Sequence, residues 1–538
     1  MVAHDDPAEV ASYERASWWQ GRTLSECVTV HAREQPAAAA FVEGDHRVSW
    51  SEHDADATQL AGALVAAGFT RNARIAVLLP DGPAIHAVFV GLERAGLVVV
   101  GIGARAGDRE IDHLLGKTEA VAIITLASHR ERQMGDVVPT WITESSMLRS
   151  HIVVPESGRF AGRVTVDGVT PMVAVDALVD RALGANELSL INSTSGTTGL
   201  PKCVLHNQSR WFYFHQLAVE TGRLDASDVF LSVIPAPFGF GLWTSHFTPT
   251  ILGAPTVVMA RFDATEALRT IARERVTVLC CVSTQFIMLL NSPEIADHDL
   301  TSLRVMFTGG EAVPYERAAA FEDVTGAKVL QFYGSNETGA ISRTSIDDTR
   351  LVRLTTAGRI IDEMQVRLFD QAGADVTAQG VGQPGCRGPA TCIGYLDDAG
   401  ANAQLFTDDG WMLAGDIVQI DTDGVLTVTG RVSDFIIRGG KNISAPAVEA
   451  EVLTHPGIAM AAAVAMPDSV FGERVCIVVE MRPGSTVTLA ELVEHLRGRG
   501  VSSEWLPERL EVVDELPRAS GGKVAKGQLR EMITRLSV

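Results

Sequence analysis

The sequence predicts an α/β protein. A multi-lobed large N-terminal domain, made of two mostly parallel α/β subdomains plus a small β-rich subdomain, is followed by a small mobile α+β C-terminal domain. Three observations carry this expectation: apolar strands and helices alternate from the start, the texture changes after Leu354, and a separate small pattern follows Ser433. Ser51–Ala67 reads as a helix closed by Gly68, Ile75–Leu79 as a short apolar strand, Ala84–Ala95 as a helix closed by Gly96, and Leu97–Val100 as another strand. The alternation returns in Val257–Met259, the helix Ala264–Arg273, the apolar run Val276–Val282, the strand Val305–Phe307 and a helix after Pro314. Strands separated by helices cross over and pair in parallel. From Leu354 to Thr429 short strands are broken by Gly, Asp and Pro, the texture of an antiparallel lobe. A helix at Pro446–Thr454, strands at Met460–Met466 and Val475–Glu480, and a helix at Leu489–Arg497 complete the C-terminal unit. The expected domains are 1–432 and 433–538.

Composition narrows the function. The 538 residues carry 45 Lys+Arg against 66 Asp+Glu, a net charge of −21, which argues against coating nucleic acid or an anionic membrane. Hydrophobic residues at 46% and charged residues at 21% lie in the globular range. The seven cysteines, Cys27, Cys203, Cys280, Cys281, Cys386, Cys392 and Cys476, show no CxxC spacing, which points away from a zinc or redox site and toward a reducing compartment. The start Met1-Val2-Ala3-His4 lacks the basic and apolar regions of a signal peptide, and no run approaches the ~18 apolar residues of a membrane span. A cytoplasmic location with no integral membrane segment is expected.

The most informative segment is Ser193-Thr194-Ser195-Gly196-Thr197-Thr198-Gly199-Leu200-Pro201-Lys202, between the strand-like Leu188–Ile191 and a helix beginning near Ser209. Small hydroxyl side chains and glycines let backbone N–H groups approach phosphate oxygens, and a lysine adds a point charge that offsets repulsion between phosphates. The GxxxxGK[ST] register is missing, so this is not a Walker A loop; an ordinary surface turn is the plainer alternative. A second stretch, Gly101-Ile102-Gly103-Ala104-Arg105-Ala106-Gly107, imitates a dinucleotide-binding turn. It supplies a rival reading, an NAD(P)-dependent oxidoreductase, but no second nicotinamide-specific feature accompanies it.

Further motifs follow in order: Gly309-Gly310-Glu311, Tyr333-Gly334-Ser335-Asn336-Glu337, Gly410-Trp411 with Gly415-Asp416, Gly430-Arg431, Gly439-Gly440-Lys441, and Pro517-Arg518 with Gly522-Lys523. With the phosphate segment, this series resembles the adenylate-forming superfamily of acyl- and aryl-CoA ligases, stand-alone aryl-acid adenylating enzymes, peptide-synthetase adenylation domains and firefly luciferase. The resemblance covers nearly the whole chain and is closest to small-acid acyl- or aryl-CoA ligases. It implies a two-step acid–thiol ligase that uses ATP, Mg2+ and coenzyme A on a small-molecule carboxylic acid. Acyl-AMP and pyrophosphate form first, then acyl-CoA and AMP. Loading of a carrier-protein thiol is the alternative within the family, and a homodimer is compatible with it.

The resemblance also implies roles. Ser193, Thr194, Ser195, Gly196, Thr197, Thr198, Gly199, Lys202 and Asn336 bind the ATP phosphates. Gly309, Gly310, Glu311, Tyr333 and Gly334 hold adenine, and Asp416 and Arg431 the ribose. Glu337 holds the metal, being the hard oxygen donor that Mg2+ prefers. Lys523 is the catalytic lysine of adenylation, bridging substrate carboxylate and α-phosphate. Ser433 is the hinge, where relatives often have Asp or Lys, and Gly439 and Gly440 line the coenzyme A channel. Phe238, Gly239, Phe240, Trp243 and Ser335 form the acyl pocket. In dihydroxybenzoate activators an Asn at the position of Gly239 reads ring hydroxyls. Gly239 has no such donor, so an apolar alicyclic, simple aryl or medium-chain acid is expected. Asn336 and Ala414 stand where relatives commonly have Thr. Plainer structural roles compete: a solvated loop acid for Glu337, core packing for Tyr333 and the aromatic residues.

Overall fold

Apolar runs place the strands, and the strands order the molecule. The computed structural model describes residues 7–142, 147–156, 158–194, 201–310, 313–431, 435–438, 441–468, 472–503, 505–519 and 523–536. Among these residues the N-terminal domain holds a nine-stranded and an eight-stranded sheet. In the first, Thr256–Val258, Phe230–Ser232, Val278–Cys280, Val305–Gly309 and Lys328–Ser335 run parallel. In the second, Leu190–Ser193, Val98–Gly101, Arg74–Leu78, Ala122–Thr125 and Ser150–Val153 run parallel. Val98–Gly101 and Ala122–Thr125 are buried along their whole length, as strands covered by helices on both faces must be.

The expected change of texture is real. Gln365–Phe369, Val381–Arg387, Asp416–Ile420 and Leu426–Arg431 form an antiparallel sheet. In the C-terminal domain Ile458–Asp468 and Gly472–Met481 pair antiparallel, and Arg509–Val513 lies parallel to the latter. Helices Ala445–Val452, Leu489–Gly498 and Lys526–Leu536 accompany them.

Caps fix helix ends that periodicity leaves loose. Trp50–Ala66 starts at a capping box in which the Ser49 side chain accepts from the Glu52 N–H and the Glu52 carboxylate accepts from the Ser49 N–H. Two elements escape the sequence pattern. Cys203–His206 is a strand antiparallel to Leu190–Ser193, inserted before the helix Ser209–Gly222. Leu242–Phe247 is wound as a π-helix, a form that concentrates at functional sites.

Three imidazoles are sealed in the core, two of them, His53 and His86, against Phe41 of the nine-stranded sheet. His86 Nδ1 lies 3.1 Å from His246 Nδ1. Burial keeps both neutral, holding His246 down to about 3 and His86 well below the ordinary value. His53 is likewise held to about 3 by burial, and neither ring nitrogen has a hydrogen-bond partner among the described residues. With its folded pKa below its unfolded one, its neutral form contributes fully above about pH 6.5 and that contribution is lost as pH falls toward 3. His53→Leu should therefore flatten the pH dependence of stability across that window by up to ~1.4 kcal/mol per pH unit, read from urea midpoints. An unchanged slope would contradict this account of the buried ring.

Candidate active site

The two parallel sheets meet where their strands end. Asn192, 2% exposed on the strand leading into the phosphate segment, makes the junction. Its Nδ2 donates to Pro237 O at 3.1 Å and to Asn336 Oδ1 at 3.2 Å, and its Oδ1 accepts from Asn336 Nδ2 at 2.7 Å. One carboxamide thus ties the phosphate strand, the aromatic segment and the loop carrying Glu337. The brace continues beneath. His206 Nε2 donates to Asn192 Oδ1 at 2.8 Å, and Arg210 Nη1 donates to His206 Nδ1. Burial pushes the His206 pKa far down, which keeps Nδ1 an acceptor. Arg210 also donates to Asn336 O at 3.0 Å and Ala390 O at 2.9 Å. Burial lowers its pKa to about 10, so it stays charged at neutral pH. Crevices outside the carboxyl ends of strands are where open α/β sheets bind ligands.

Around this floor stand the predicted residues. Ser193 pairs with Cys203, and the Thr194 N–H donates to Lys202 O at 3.0 Å, so the strands flanking the phosphate segment are clamped together. The Lys202 ammonium lies 4.8 Å over the Tyr395 ring, whose hydroxyl donates to Glu337 Oε1 at 2.7 Å. Burial and the adjacent Glu337 carboxylate both raise the Tyr395 pKa, which keeps the phenol a donor. Among the described residues the phenol's bond goes to Oε1, and Glu337 Oε2 accepts no hydrogen bond. Among those residues no cluster of three or more His, Cys, Asp or Glu could hold a metal. A half-buried carboxylate with one oxygen steered by a phenol fits a magnesium ion that takes its remaining ligands from substrate phosphates and water.

The Tyr333 hydroxyl donates to Asp416 Oδ2 at 3.0 Å, joining the adenine and ribose candidates, and Asp416 pairs with Arg431 across adjacent strands. Gly309 pairs with Phe332 and Gly334 with Ala340. Gly310 adopts φ +75°, and its carbonyl accepts from Lys523 Nζ at 2.7 Å, across 213 residues of sequence. The positive φ favours glycine there, and a Cβ would lie 2.7 Å from Nζ, so a side chain would make the ammonium shift. The Ser335 hydroxyl closes the Glu337 turn, accepting from the Glu337 and Thr338 N–H groups at 3.2 and 3.1 Å.

Phe238, Gly239 and Phe240 are half-buried. Phe240 stacks on Trp243 with centroids 5.4 Å apart, and Trp243 is buried against Phe214, Phe307 and Phe332. A Cβ on Gly239 would fall 2.6 Å from Asn336 Oδ1: the Asn336 amide fills the space that a side chain at 239 would need. Gly101, in the stretch behind the oxidoreductase alternative, faces Pro237 of this same segment. Ser195, Gly196, Thr197, Thr198, Gly199, Glu311, Ser433, Gly439 and Gly440 lie outside the described residues. Sequence reasoning missed Asn192, His206, Arg210 and Tyr395, none of which carries a local motif.

The sequence profile of the AMP-binding enzyme matches residues 28–396, and that of the AMP-binding enzyme C-terminal domain matches residues 447–523. The chain belongs to the AMP-binding enzyme family. It is an adenylate-forming acid ligase. It is 32% identical over 545 residues to a 2-hydroxy-7-methoxy-5-methyl-1-naphthoate–CoA ligase of Streptomyces carzinostaticus, covering 99% of this chain and 97% of that protein. It is 29% identical over 542 residues to the 2,3-dihydroxybenzoate–AMP ligase of Bacillus subtilis, covering 98% and 97%. The crystal structure of the anthranilate CoA ligase AuaEII in complex with anthranoyl-AMP shares the fold, with a TM-score of 0.84 at 20% identity over 96% of this chain and 98% of that one. No helix among the described residues of this AMP-binding enzyme is long and apolar enough to cross a membrane.

Two substitutions probe the site. Tyr395→Phe removes the hydroxyl that steers Glu337 and should raise the KM for ATP in the presence of magnesium by roughly 10-fold, with the thermal midpoint unchanged. An unchanged KM would assign Tyr395 to packing alone. Asn192→Ala leaves the half-buried Asn336 amide and the buried His206 Nε2 without their Asn192 partner and should lower stability by about 1–3 kcal/mol while also lowering kcat. Full activity in a measured steady state would show that the brace does not set the site.

Proposed function

We propose that this protein is an ATP-dependent carboxylic acid–CoA ligase, forming acyl-AMP and pyrophosphate and then acyl-CoA and AMP. The observation that carries the reading is the reach of Lys523 from the C-terminal domain to Gly310 O, 2.7 Å away, beside the strand that carries Tyr333 and its bond to Asp416. A carboxylate oxygen is a poor leaving group until it is esterified to phosphate. In the first step it forms a bond to the α-phosphorus of ATP while the bond to pyrophosphate breaks. Two anions meet there, and the Lys523 ammonium stabilises the charge that develops, an electrostatic role rather than a nucleophilic one.

In this reading Ser193, Thr194, Lys202 and Asn336, with the segment Ser195 to Gly199, receive the phosphates. Tyr333 stacks on adenine against Gly309, Gly310 and Glu311, beside Gly334, and Asp416 and Arg431 take the ribose. Glu337 would hold Mg2+, whose charge shields the polyphosphate and favours departure of pyrophosphate. In the second step the thiol sulfur attacks the acyl carbon and AMP leaves with the bonding pair. Lys523 must withdraw first, so the domain beginning at residue 433 swings about Ser433, and Gly439 and Gly440 come to line the path of the thiol arm.

The acid we assign is apolar: alicyclic, simple aryl or medium-chain. The half-buried Phe238 and Phe240, the Trp243 behind them and the bare Gly239, with Ser335 at the edge, support this. The naphthoate–CoA ligase relative supports an aryl acid and coenzyme A. A second reading ends at a carrier-protein thiol, and the relative named for the 2,3-dihydroxybenzoate adenylate favours it. Seven free, buried cysteines support a reducing, cytoplasmic setting.

ATP–pyrophosphate exchange across a panel of acids should be strongest with apolar aryl or medium-chain members. Lys523→Ala should lower acyl-AMP formation by roughly 100-fold or more, while thioester formation from synthetic acyl-AMP persists. Equal loss of both steps would remove Lys523 from the first one.

A further inference from the structure

Resting on the two-step reading, we propose that Arg317 is a positioning residue that latches the C-terminal domain in the orientation placing Lys523 in the crevice, and so promotes acyl-AMP formation without contacting substrate. Arg317 belongs to the helix Tyr315–Thr325, which follows the adenine-side segment of the N-terminal domain. Its Nη2 donates to Leu453 O at 3.1 Å and to Ile458 O at 3.2 Å. Both carbonyls belong to the C-terminal domain. Leu453 caps the C-terminus of the helix Ala445–Val452, and Ile458 opens the strand Ile458–Asp468. One guanidinium therefore holds both ends of the turn that links that helix to that strand.

The chemistry suits a latch. A helix C-terminus presents unsatisfied carbonyls and the negative end of the helix dipole, which favour a cation. A charged donor makes a stronger bond to a carbonyl than a neutral one does. Nearby, Asn291 Nδ2 donates to Ala459 O at 3.3 Å, so the strand leaving that turn is gripped from a second helix of the N-terminal domain, Ser283–Asn291. The contact remains reversible. Arg317 lines a 260 Å³ cleft shared with His455, Arg482 and Arg499. Its buried Nε has no hydrogen-bond partner among the described residues. Burial and the neighbouring Arg482 both weigh against its charged form, lowering its pKa. The latch is thus held by two carbonyl bonds and opposed by a second guanidinium.

These bonds and the Lys523–Gly310 bond occur in the same orientation of the domain, so each favours the other by linkage. Any swing that withdraws Lys523 and carries Leu453 and Ile458 away must break them. Loss of the latch then shifts the population away from the Lys523-in orientation, slowing the step that needs it and sparing the step that needs it gone.

The test compares the two half-reactions in Arg317→Met, which keeps the apolar stem and removes the fork. The first is read as pyrophosphate release from ATP and the acid the wild type prefers. The second is read as thioester formation from synthetic acyl-AMP and the acceptor, coenzyme A or carrier protein, that the wild type uses. Acyl-AMP formation should fall roughly 10-fold, with thioester formation unchanged or faster. Arg317→Lys, which keeps stem and charge but loses the fork, should show the same split at smaller amplitude, and it carries the test if the Met variant is unstable. Equal loss in both half-reactions, or no loss in the first, overturns the latch. Lys523→Ala and the wild type, run alongside, separate the claims: a wild type that releases no pyrophosphate with any acid fails the two-step reading; a Lys523→Ala variant that retains acyl-AMP formation fails the role given to Lys523, and the latch with it; if Lys523→Ala abolishes acyl-AMP formation while Arg317→Met shows no split, the latch alone fails.

Discussion

A carboxylate and a triphosphate repel each other, and in a chain of net charge −21 the surrounding field adds to that repulsion. Positive charge has to be delivered locally, and the fold brings it from different directions. Lys202 sits over Tyr395 at the foot of the phosphate segment, Arg210 lies buried under Asn336, and Lys523 arrives at Gly310 from the C-terminal domain. The first two are fixed parts of the N-terminal domain. Lys523 comes from the smaller domain, so its contact with Gly310 O depends on where that domain sits.

A buried polar floor is stable only when its donors and acceptors are met, and the Asn192–His206–Arg210 brace meets that condition with a neutral imidazole between a carboxamide and a guanidinium. It also makes one feature of two departures from the family pattern. Gly239 in the aromatic segment and Asn336 in the metal loop read as separate oddities in the sequence. In space the amide of Asn336 occupies the volume that a Cβ on Gly239 would enter, while being held from the other side by Asn192. The path of the aromatic segment and that of the turn carrying Glu337 are thereby coupled through one side chain.

What the sequence made legible is what is local. Glycine pairs, Tyr333 to Glu337 and the terminal Gly522-Lys523 are contiguous motifs, and alternating apolar runs such as Val305–Gly309 and Ala264–Glu274 follow from periodicity. The strand Lys328–Ser335 runs on to Ser335 because its second half pairs with Gly339–Arg343, a contact that composition does not encode. The strand Cys203–His206 is too short and too closely flanked by polar residues to stand out. The brace joins residues 144 positions apart, and Arg317 meets Leu453 across 136. Read along the chain, Asn192 is one strand residue and Arg317 one helical arginine. Their meaning arises only from what the fold sets opposite them.

The central claim is that the acid's own oxygen becomes bonded to the α-phosphorus of ATP. Acid labelled with 18O in its carboxylate, turned over with ATP and the thiol acceptor, tests it most directly. The account predicts that one labelled oxygen per turnover appears in AMP, detected by mass spectrometry, with none in inorganic phosphate or pyrophosphate. Label recovered in inorganic phosphate, with ADP as the nucleotide product, would contradict it.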